Sequence, residues 1–385
     1  MDRREFLQLT TASIALLPFR QAGSRKHFLW LRPDLKRTPD DWKREFDRWR
    51  AAGLTGIIPE VYNGRNTLFR SRRLPVRAEW LEQAIPIARA AGLEVHAWMW
   101  CMPCNIPEII QKHPDWYNVN ALGESAATKP AYVDYYRFLD PAHPDVREFV
   151  GDTVRELAGI EGLTGIHLDY IRHPDAILPS GLWAKYGITQ HRVHPPYDYG
   201  YTEYSRRAFK DKHGIDPITL KDPETSREWL QYRLDTVVDL VNEFLVPAAR
   251  TGRKQISAAV FPGPSLARTM VRQDWGRFKL DAYFPMLYHG FYEAGPEWVR
   301  HYTREASRGT LLPNLCLLDG PPCPPDRPRP PNVFSGLYVA DLPPAEFTRT
   351  IEMALEGGAN GVSIFDAGAM TGERWALFAK AVAGR

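Results

Sequence analysis

Strand-like and helix-like segments alternate along almost the whole chain, and this alternation restricts the fold more than any other feature. Short apolar stretches typical of buried strands occupy 27–32, 56–62, 94–100, the start of 165–174, 255–261, 282–288, 333–339 and 361–366. Such alternation is typical of a parallel sheet with helical crossovers. Eight βα units in a chain of 385 residues predict an α/β fold, a single (β/α)8 TIM barrel with long βα loops.

The connecting helices are predicted from capping residues and apolar periodicity. They cover about 39–52, 78–91, 107–112, 144–158, 228–250, 344–356 and 373–382. The seventh strand is placed at 333–339 rather than 311–318, because it then runs directly into the helix at 344–356. The longest predicted loop, from 175 to about 225, is rich in Tyr, His and Pro. A loop of that size in a compact domain is usually functional.

The first 23 residues predict an export signal rather than a part of the fold. Arg3 and Arg4 precede Phe-Leu and an apolar run at 9–19, which is similar to a twin-arginine signal. The run is too short for an ordinary transmembrane helix, so no membrane anchor is expected after the signal is removed. We therefore expect a periplasmic or extracellular protein whose TIM-barrel domain covers 27–385.

The amino-acid composition limits the kinds of molecule that the protein is expected to bind. A net charge of +3 is too small to indicate nucleic acid. Twelve Trp, 17 Tyr and 17 Phe are a generous supply of flat rings that can stack on sugars. Cys101-Met-Pro-Cys104 has metal-site spacing, but no second such pair completes it, which favours a structural role. The predicted partner is a carbohydrate, with no cofactor or metal; the oligomeric state stays open.

The fourth strand carries the strongest functional signal. In Gly165–Pro174, His167 and Asp169 lie two residues apart and so point to the same side of a strand. A strand that ends in a carboxylate is how an α/β barrel delivers an acid to its C-terminal face, where active sites lie. The alternative is that Asp169 caps a loop and His167 fills the barrel interior.

Other strand ends are expected to add polar and aromatic side chains to the same face. These candidates are Arg32, Glu60, Tyr62, His96, Trp98, Trp100, His167, Arg172, Tyr288, His289 and Asp366, with Trp183 on the loop after the fourth strand. Carboxyl groups among aromatic rings suit hydrolysis of a glycosidic bond. That reaction needs one carboxyl group to protonate the leaving oxygen and another to activate water or attack.

The segment Thr164–Pro174 resembles the fourth-strand motif of the glycosyl-hydrolase-like family ten. Further similar stretches are Gly92–Met99, Lys112–Tyr117, Phe138–Pro141, Pro144–Arg147 and Asp281–Tyr288. The resemblance implies a TIM-barrel glycosidase that acts on a polysaccharide outside the cytoplasm, with Asp169 as its catalytic acid. Tyr170 stands in place of the family's second Asp, and Glu60 where an Arg is common. The resemblance therefore does not assign the second carboxylate.

These features together predict an exported glycoside hydrolase. Asp169 would be the general acid and Glu60 the base or nucleophile, with Asp366 as the reserve. Arg32, His96 and Tyr288 would hold hydroxyl groups or orient the acid, while Trp98, Trp100 and Trp183 would stack on sugars.

Two other functions stay open. One is a carbohydrate-binding barrel without catalysis. The other is a metal-dependent hydrolase or deacetylase that uses His167, Asp169 and His173. Leu29 and Trp30 stand where metal-dependent barrels commonly carry an H-x-H pair on the first strand, which speaks against the metal-dependent hydrolase.

Overall fold

Eight parallel strands form a closed barrel in a computed structural model that describes residues 25–308 and 332–383. The strands are β1 (Phe28–Leu31), β2 (Gly56–Tyr62), β3 (Glu94–Trp100), β4 (Gly165–Asp169), β5 (Gln255–Val260), β6 (Ala282–Pro285), β7 (Asn332–Tyr338) and β8 (Gly361–Phe365). Each strand pairs with the next one along the chain, and β8 pairs with β1. The predicted TIM barrel is confirmed.

Helices follow the strands around the outside of the barrel. They are α1 (Pro39–Ala51), α2 (Trp80–Ala90), α3 (Pro107–Lys112), α4 (Pro144–Ala158), α5 (Trp183–Tyr186), α6 (Glu203–His213), α7 (Arg227–Asp239), α8 (Val246–Thr251), α9 (Pro264–Val271), α10 (Pro296–Arg308), α11 (Pro344–Glu356) and α12 (Gly372–Val382). Within the two described ranges, no helix is both long and apolar enough to cross a membrane.

Helix α1 shows how the sequence sets an element and its packing. Thr38 accepts a hydrogen bond from the backbone N–H of Asp41, whose side chain accepts one from the backbone of Thr38 in return. This capping box satisfies donors that the first helical turn leaves free. Trp42, Phe46 and Trp49 then follow at helical spacing and are all buried. The helix therefore packs one apolar face inward, against the barrel and α2.

Most predicted elements occur at or close to their predicted bounds, with two kinds of difference. The predicted helix at 228–250 is α7 and α8, which a π-helical segment, Leu240–Leu245, joins. Helices α5, α6, α9 and α10 were not predicted. In α10 the buried side chains are Val299, Thr303, Glu305 and Ala306, and Trp298 and Tyr302 pack partly buried against the core beside them. An apolar stripe at helical spacing is therefore present in this mostly polar segment.

Large and small side chains alternate inside the barrel. At the N-terminal end, the Phe28 ring packs edge-on against Phe284 and Phe334, with centroids 5.3 Å and 4.9 Å away. One layer higher, the Trp30 ring lies 4.8 Å from that of Trp98 and 4.6 Å from that of His167. These rings fill the middle of the barrel and form a solid floor below its C-terminal mouth.

Candidate active site

Asp169, the last residue of β4, is buried at the C-terminal end of the barrel. Its Oδ2 accepts a hydrogen bond from the indole Nε1 of Trp98 at 3.0 Å, and its Oδ1 accepts one from the backbone N–H of Tyr170 at 2.7 Å. Burial raises the pKa of Asp169, although these hydrogen bonds and the charge of Arg172 act in the opposite direction. A carboxyl group that keeps its proton to higher pH is suited to general acid catalysis.

Tyr170 turns the chain sharply after Asp169. Its φ of 51° lies in the left-handed region, which is uncommon for a residue other than glycine. Backbone strain of this kind tends to occur at functional sites. The turn brings the Tyr170 N–H onto the Asp169 carboxyl group and its ring to within 5.0 Å of the Trp100 ring.

Arg32 lies between two carboxylates at the barrel mouth. Its Nε is 3.4 Å from Glu60 Oε2, and its Nη1 is 2.9 Å from Asp366 Oδ2. The guanidinium group also covers the rings of Trp98 and Phe365, at 5.2 Å and 5.4 Å from their centroids. The Arg32 side chain is 51% exposed, so this cation faces the solvent from the floor of the mouth.

Glu60 approaches the same floor from β2, with a side chain that is only 13% exposed. Burial raises the pKa of Glu60, the charge of Arg32 opposes this, and the charge of Asp169 adds to it. This effect of Asp169 on Glu60 agrees with their positions on the two strands beside β3. Their strands flank β3, where Trp98 pairs with Glu60 and Trp100 with Asp169. Strands two apart in a sheet are separated by roughly 10 Å.

Aromatic rings form two walls around these carboxyl groups. Tyr288, Tyr338, Phe291 and Phe365 form one wall at the ends of β6, β7 and β8, with centroid distances from 5.1 to 6.4 Å. The other wall consists of Trp100, Tyr170 and Tyr135, and the Tyr135 ring is 5.6 Å from that of Trp100. Burial raises the pKa of Tyr288 well above its ordinary value, and nearby Asp169 adds to the effect. Its hydroxyl therefore stays protonated and available as a donor.

Three predicted site residues lie away from this mouth. A register shift in β2 between Glu60 and Tyr62 aligns Tyr62 with Met99, which turns its side chain outward into the core around Cys104 and Tyr117. His289 packs behind the mouth, where its Nε2 is 2.9 Å from Glu346 Oε1 on α11.

His96 is the third of these residues and lies at the opposite end of the barrel. It is paired with Gly165 at the start of β4, and its ring packs edge-on against Phe28 at 5.3 Å. There it borders a cavity of about 420 Å³ that Lys26, Glu94 and Asn332 also line. Side chains on one face of a strand occupy successive layers, so His96 is two layers below Trp100.

His167 and Trp98 occupy the layer below the carboxyl groups. His167 is fully buried, and its Nδ1 lies 2.8 Å from Ser257 Oγ on β5. Burial lowers the pKa of His167 well below its ordinary value, so the ring is neutral. Trp98 reaches the mouth only through its indole N–H, which binds Asp169.

Arg172 and Trp183 belong to the long loop after β4. Arg172 is buried, pairs with Asp175 at 3.0 Å and stacks beside the Tyr170 ring at 5.2 Å. The Trp183 indole donates to the Leu178 carbonyl at 2.8 Å and is half-buried. Next to it, the segment Ser180–Leu182 packs against His289–Tyr292 in the loop after β6, and a Cβ added at Gly181 would lie 2.8 Å from the Gly290 carbonyl oxygen. This part of the loop after β4 therefore lies on the C-terminal face.

The residues of the metal-dependent alternative are not brought together. His167 is inside the barrel, whereas the His173 Nδ1 lies 3.0 Å from the Asn118 side chain in the outer loops. Across residues 25–308 and 332–383, no cluster of three His, Cys, Asp or Glu side chains has the geometry to hold a metal ion.

Phe365 and Tyr135 were not expected among the mouth residues. Phe365 ends β8 and faces inward under Arg32, and its place in the alternating pattern of that strand was the available signal. Tyr135 is in the irregular loop after β3, where the sequence has no periodicity that could have indicated its position.

This chain resembles known proteins in structure but not in sequence. No family model matches the chain, and no curated protein matches it. The glycoside hydrolase domain of PgaB (BpsB) from Bordetella bronchiseptica is similar over 92% of this chain and 98% of that domain, with a TM-score of 0.67 at 13% identity.

Two other glycosidases of known structure also resemble this chain. The β-galactosidase of the psychrophilic Marinomonas ef1 aligns with 93% of this chain and 59% of its own, with a TM-score of 0.62 at 13% identity. The catalytic domain of the β-amylase of Paenibacillus polymyxa aligns with 92% of this chain and 97% of its own, with a TM-score of 0.58 at 11% identity. The chain therefore has the fold of glycoside hydrolase TIM-barrel domains.

Proposed function

We propose that this protein is an exported glycoside hydrolase that cleaves a polysaccharide or another glycan at the C-terminal mouth of its barrel. The observation that carries the proposal is the pair of neighbouring carboxyl groups, Asp169 and Glu60, whose pKa values are both raised by burial. The glycosidases of like fold and the resemblance of 164–174 to the glycosyl-hydrolase-like family ten support it.

Asp169 acts as the general acid in this proposal. It is the more deeply buried of the two carboxyl groups and protonates the glycosidic oxygen as the bond breaks. Glu60 is the base that activates water or the nucleophile, and the charge of Arg32 lowers its pKa and so favours its ionised form. Asp366, on the other side of Arg32, is the alternative candidate for the second catalytic carboxylate.

The aromatic walls supply the sugar contacts in this proposal. The ring of Trp100 and the exposed Tyr135 offer apolar faces on one side, and the protonated Tyr288 offers a hydroxyl donor on the other. In this proposal Trp183 extends this surface along the loop after β4. A glycan has both kinds of surface, with apolar ring faces and hydroxyl groups at their edges.

The direct test is activity after isosteric replacement of the carboxyl groups. The purified protein is screened on polysaccharides and peptidoglycan fragments, and Asp169→Asn and Glu60→Gln are then assayed on the best substrate. Each variant should lose activity by about a hundredfold to ten-thousandfold, because an amide replaces neither an acid nor a base. Glu305→Gln is the matched control, since the pKa of Glu305 is also raised by burial but the residue lies on α10 outside the barrel. Near wild-type turnover by Asp169→Asn contradicts the assignment.

A carbohydrate-binding barrel without catalysis is the second candidate. The observation that favours it is the double pairing of Arg32, which engages both Glu60 and Asp366 and so can hold them as acceptors for sugar hydroxyl groups. This candidate predicts that the wild-type protein binds a glycan, cleaves nothing in the panel, and keeps its affinity in Asp169→Asn.

A further inference from the structure

Two buried arginines share one buried carboxylate behind the loop after β4. Arg233 on α7 is 1% exposed, and Arg272, which directly follows α9, and Asp198 are each 4% exposed. Arg233 Nη1 donates to Asp198 Oδ1, and Arg272 Nη2 lies 3.6 Å from that same oxygen. Because both guanidinium groups reach one oxygen atom, they lie side by side.

Much of the hydrogen-bonding capacity of these guanidinium groups is unused. Arg233 Nη1 also donates to the Tyr199 carbonyl at 3.3 Å, and Arg272 Nη1 donates to the Thr269 carbonyl at 3.0 Å. The Nε and Nη2 atoms of both arginines are buried and have no hydrogen-bond partner among the described residues. Buried donors normally have partners, and a donor on a charged group is the costliest to leave without one.

The charges of this cluster do not balance either. Two guanidinium groups face one carboxylate, whose second oxygen is already bound by the Tyr201 hydroxyl at 2.8 Å. Burial and the two arginines lower the pKa of His173 to about 3, so this neighbour is neutral. Glu224 acts on Arg272 but is exposed at the surface and accepts the Val193 backbone N–H. Because Glu224 is exposed, it offsets this charge only in part, and the buried cluster keeps an excess of positive charge, which is unfavourable.

We propose that a small monovalent inorganic anion, with chloride as the probe, binds between Arg233 and Arg272. An anion accepts hydrogen bonds from the free guanidinium nitrogens and also neutralises the excess charge. A buried water molecule would do only the first, because it carries no charge. Burial and the adjacent Arg233 lower the pKa of Arg272 to about 10, which agrees with an excess of positive charge at this site.

The position of the site gives the anion a structural role. Asp198 belongs to the loop after β4, Arg233 to α7, and Arg272 to the connection after α9. The backbone N–H of His173 also donates to the Val271 carbonyl at 3.2 Å, which joins the same two loops beside the barrel mouth. A bound anion would hold three separate segments together, and its removal would destabilise the folded protein by mass action.

The test is a chloride titration of thermal stability. The wild-type protein is dialysed into sodium gluconate, and chloride replaces gluconate at constant ionic strength. The melting temperature should rise with saturation, by on the order of 2 °C when chloride is well above its dissociation constant. Arg272→Gln removes the excess charge and should lose this response. Arg268→Gln, which removes a neighbouring arginine that pairs with Asp274, should keep it.

Diffraction from bromide-soaked wild-type crystals locates the site and does not depend on the stability of any variant. An anomalous peak within hydrogen-bond distance of both guanidinium groups supports the proposal. Equal melting temperatures in chloride and gluconate, a saturable response that persists in Arg272→Gln, or the absence of a bromide peak between the arginines would each overturn it. None of these results depends on glycosidase activity, so this inference and the proposed function can fail separately.

Discussion

The carboxyl groups of Asp169 and Glu60 have different partners, and this difference is what the proposed division of roles depends on. Asp169 is bound by two neutral N–H donors, from the Trp98 indole and the Tyr170 backbone. Glu60 faces a cation, Arg32, and its Oε2 has no hydrogen-bond donor in suitable geometry among the described residues. Each partner stabilises an ionised carboxylate. Removing the Trp98 N–H should move the limb set by Asp169, and removing Arg32 should chiefly move the limb set by Glu60, because Arg32 has only a minor effect on the pKa of Asp169.

Trp98→Phe tests the acid. The substitution keeps a ring in the barrel but removes the N–H that stabilises ionised Asp169, so the pKa of Asp169 should rise further. A general acid loses activity as the pH rises through its pKa, and the alkaline limb of kcat/KM should therefore move up by about half to one pH unit. An alkaline limb that stays in place, in a variant that folds, contradicts a role for Asp169 as the acid.

Arg32→Met tests the base. Without the guanidinium group the pKa of Glu60 should rise, because the charge of Arg32 now lowers it. A base loses activity as the pH falls through its pKa, so the acid limb should move to higher pH. The expected shift is about one pH unit or less, since Arg32 is half exposed and solvent screens its charge. Arg37→Met is the control. Arg37 is an exposed residue just before α1 that pairs with Asp34 and Glu45, so its replacement should leave both limbs unchanged.

At the residue scale, the sequence predicted which side chains face inward but not how deep each one lies. His96, Trp98 and Trp100 share one face of β3, as period-two alternation requires. Only Trp100 lies at the mouth, because pairing with neighbouring strands sets the height of each residue in the barrel. The bulge that turns Tyr62 outward is likewise a property of strand pairing, and nothing in the β2 sequence alone indicates it.

At the scale of elements, close packing at the N-terminal end of the barrel fixes β4, and a glycine there can be tested. A Cβ added at Gly165 would lie 2.5 Å from His96 Nδ1 and 3.1 Å from the Gln255 carbonyl oxygen. Gly165→Ala should therefore destabilise the fold by about 1–3 kcal/mol, as overpacking of a core does. Gly372→Ala is the control, because a Cβ at the start of α12 meets nothing within 4 Å.

Chemical denaturation of both variants measures the difference. Gly372→Ala should be neutral or slightly stabilising, since alanine favours a helix over glycine. If Gly165→Ala has the stability of the wild type, then His96 can move away without cost, and the tight packing of this layer is not what holds β4 in place.

Element prediction succeeded where proline caps or continuous apolar runs mark an element, and it failed at a helix whose apolar residues lie among many charged ones. The bounds of β2, β3, α3, α4 and α11 agree with the structure because proline at the start of each of these helices, or a continuous apolar run in the strands, marks them. Helix α10 has a mostly polar sequence and was missed, although it packs beside α11. Its apolar residues, Trp298, Val299, Tyr302 and Ala306, nevertheless recur at helical spacing and pack in or against the core, so the sequence did contain a signal for this helix.

At the scale of the whole molecule, aromatic packing fills the middle of the barrel, and the proposed chemistry is confined to one end. Trp30 and His167 share the layer directly below the mouth, and Phe28 lies in the layer below them. Such a barrel has a rigid floor under its carboxyl groups, and specificity is then set by the surrounding loops. A glycan that is too large to enter a cell meets this mouth only if the folded protein is exported.

Export is the prediction that concerns the entire chain. Arg3 and Arg4 lie outside the described residues, and the twin-arginine interpretation rests on their sequence context. Lys substitutions at both positions keep the charge but remove the pair that the export receptor reads, so the protein should fold normally and stay in the cytoplasm. Fractionation followed by immunoblotting measures its location, and Arg20→Lys, a matched change in the same segment, should leave export intact. Export of the double-Lys variant at the wild-type level would rule out the twin-arginine route.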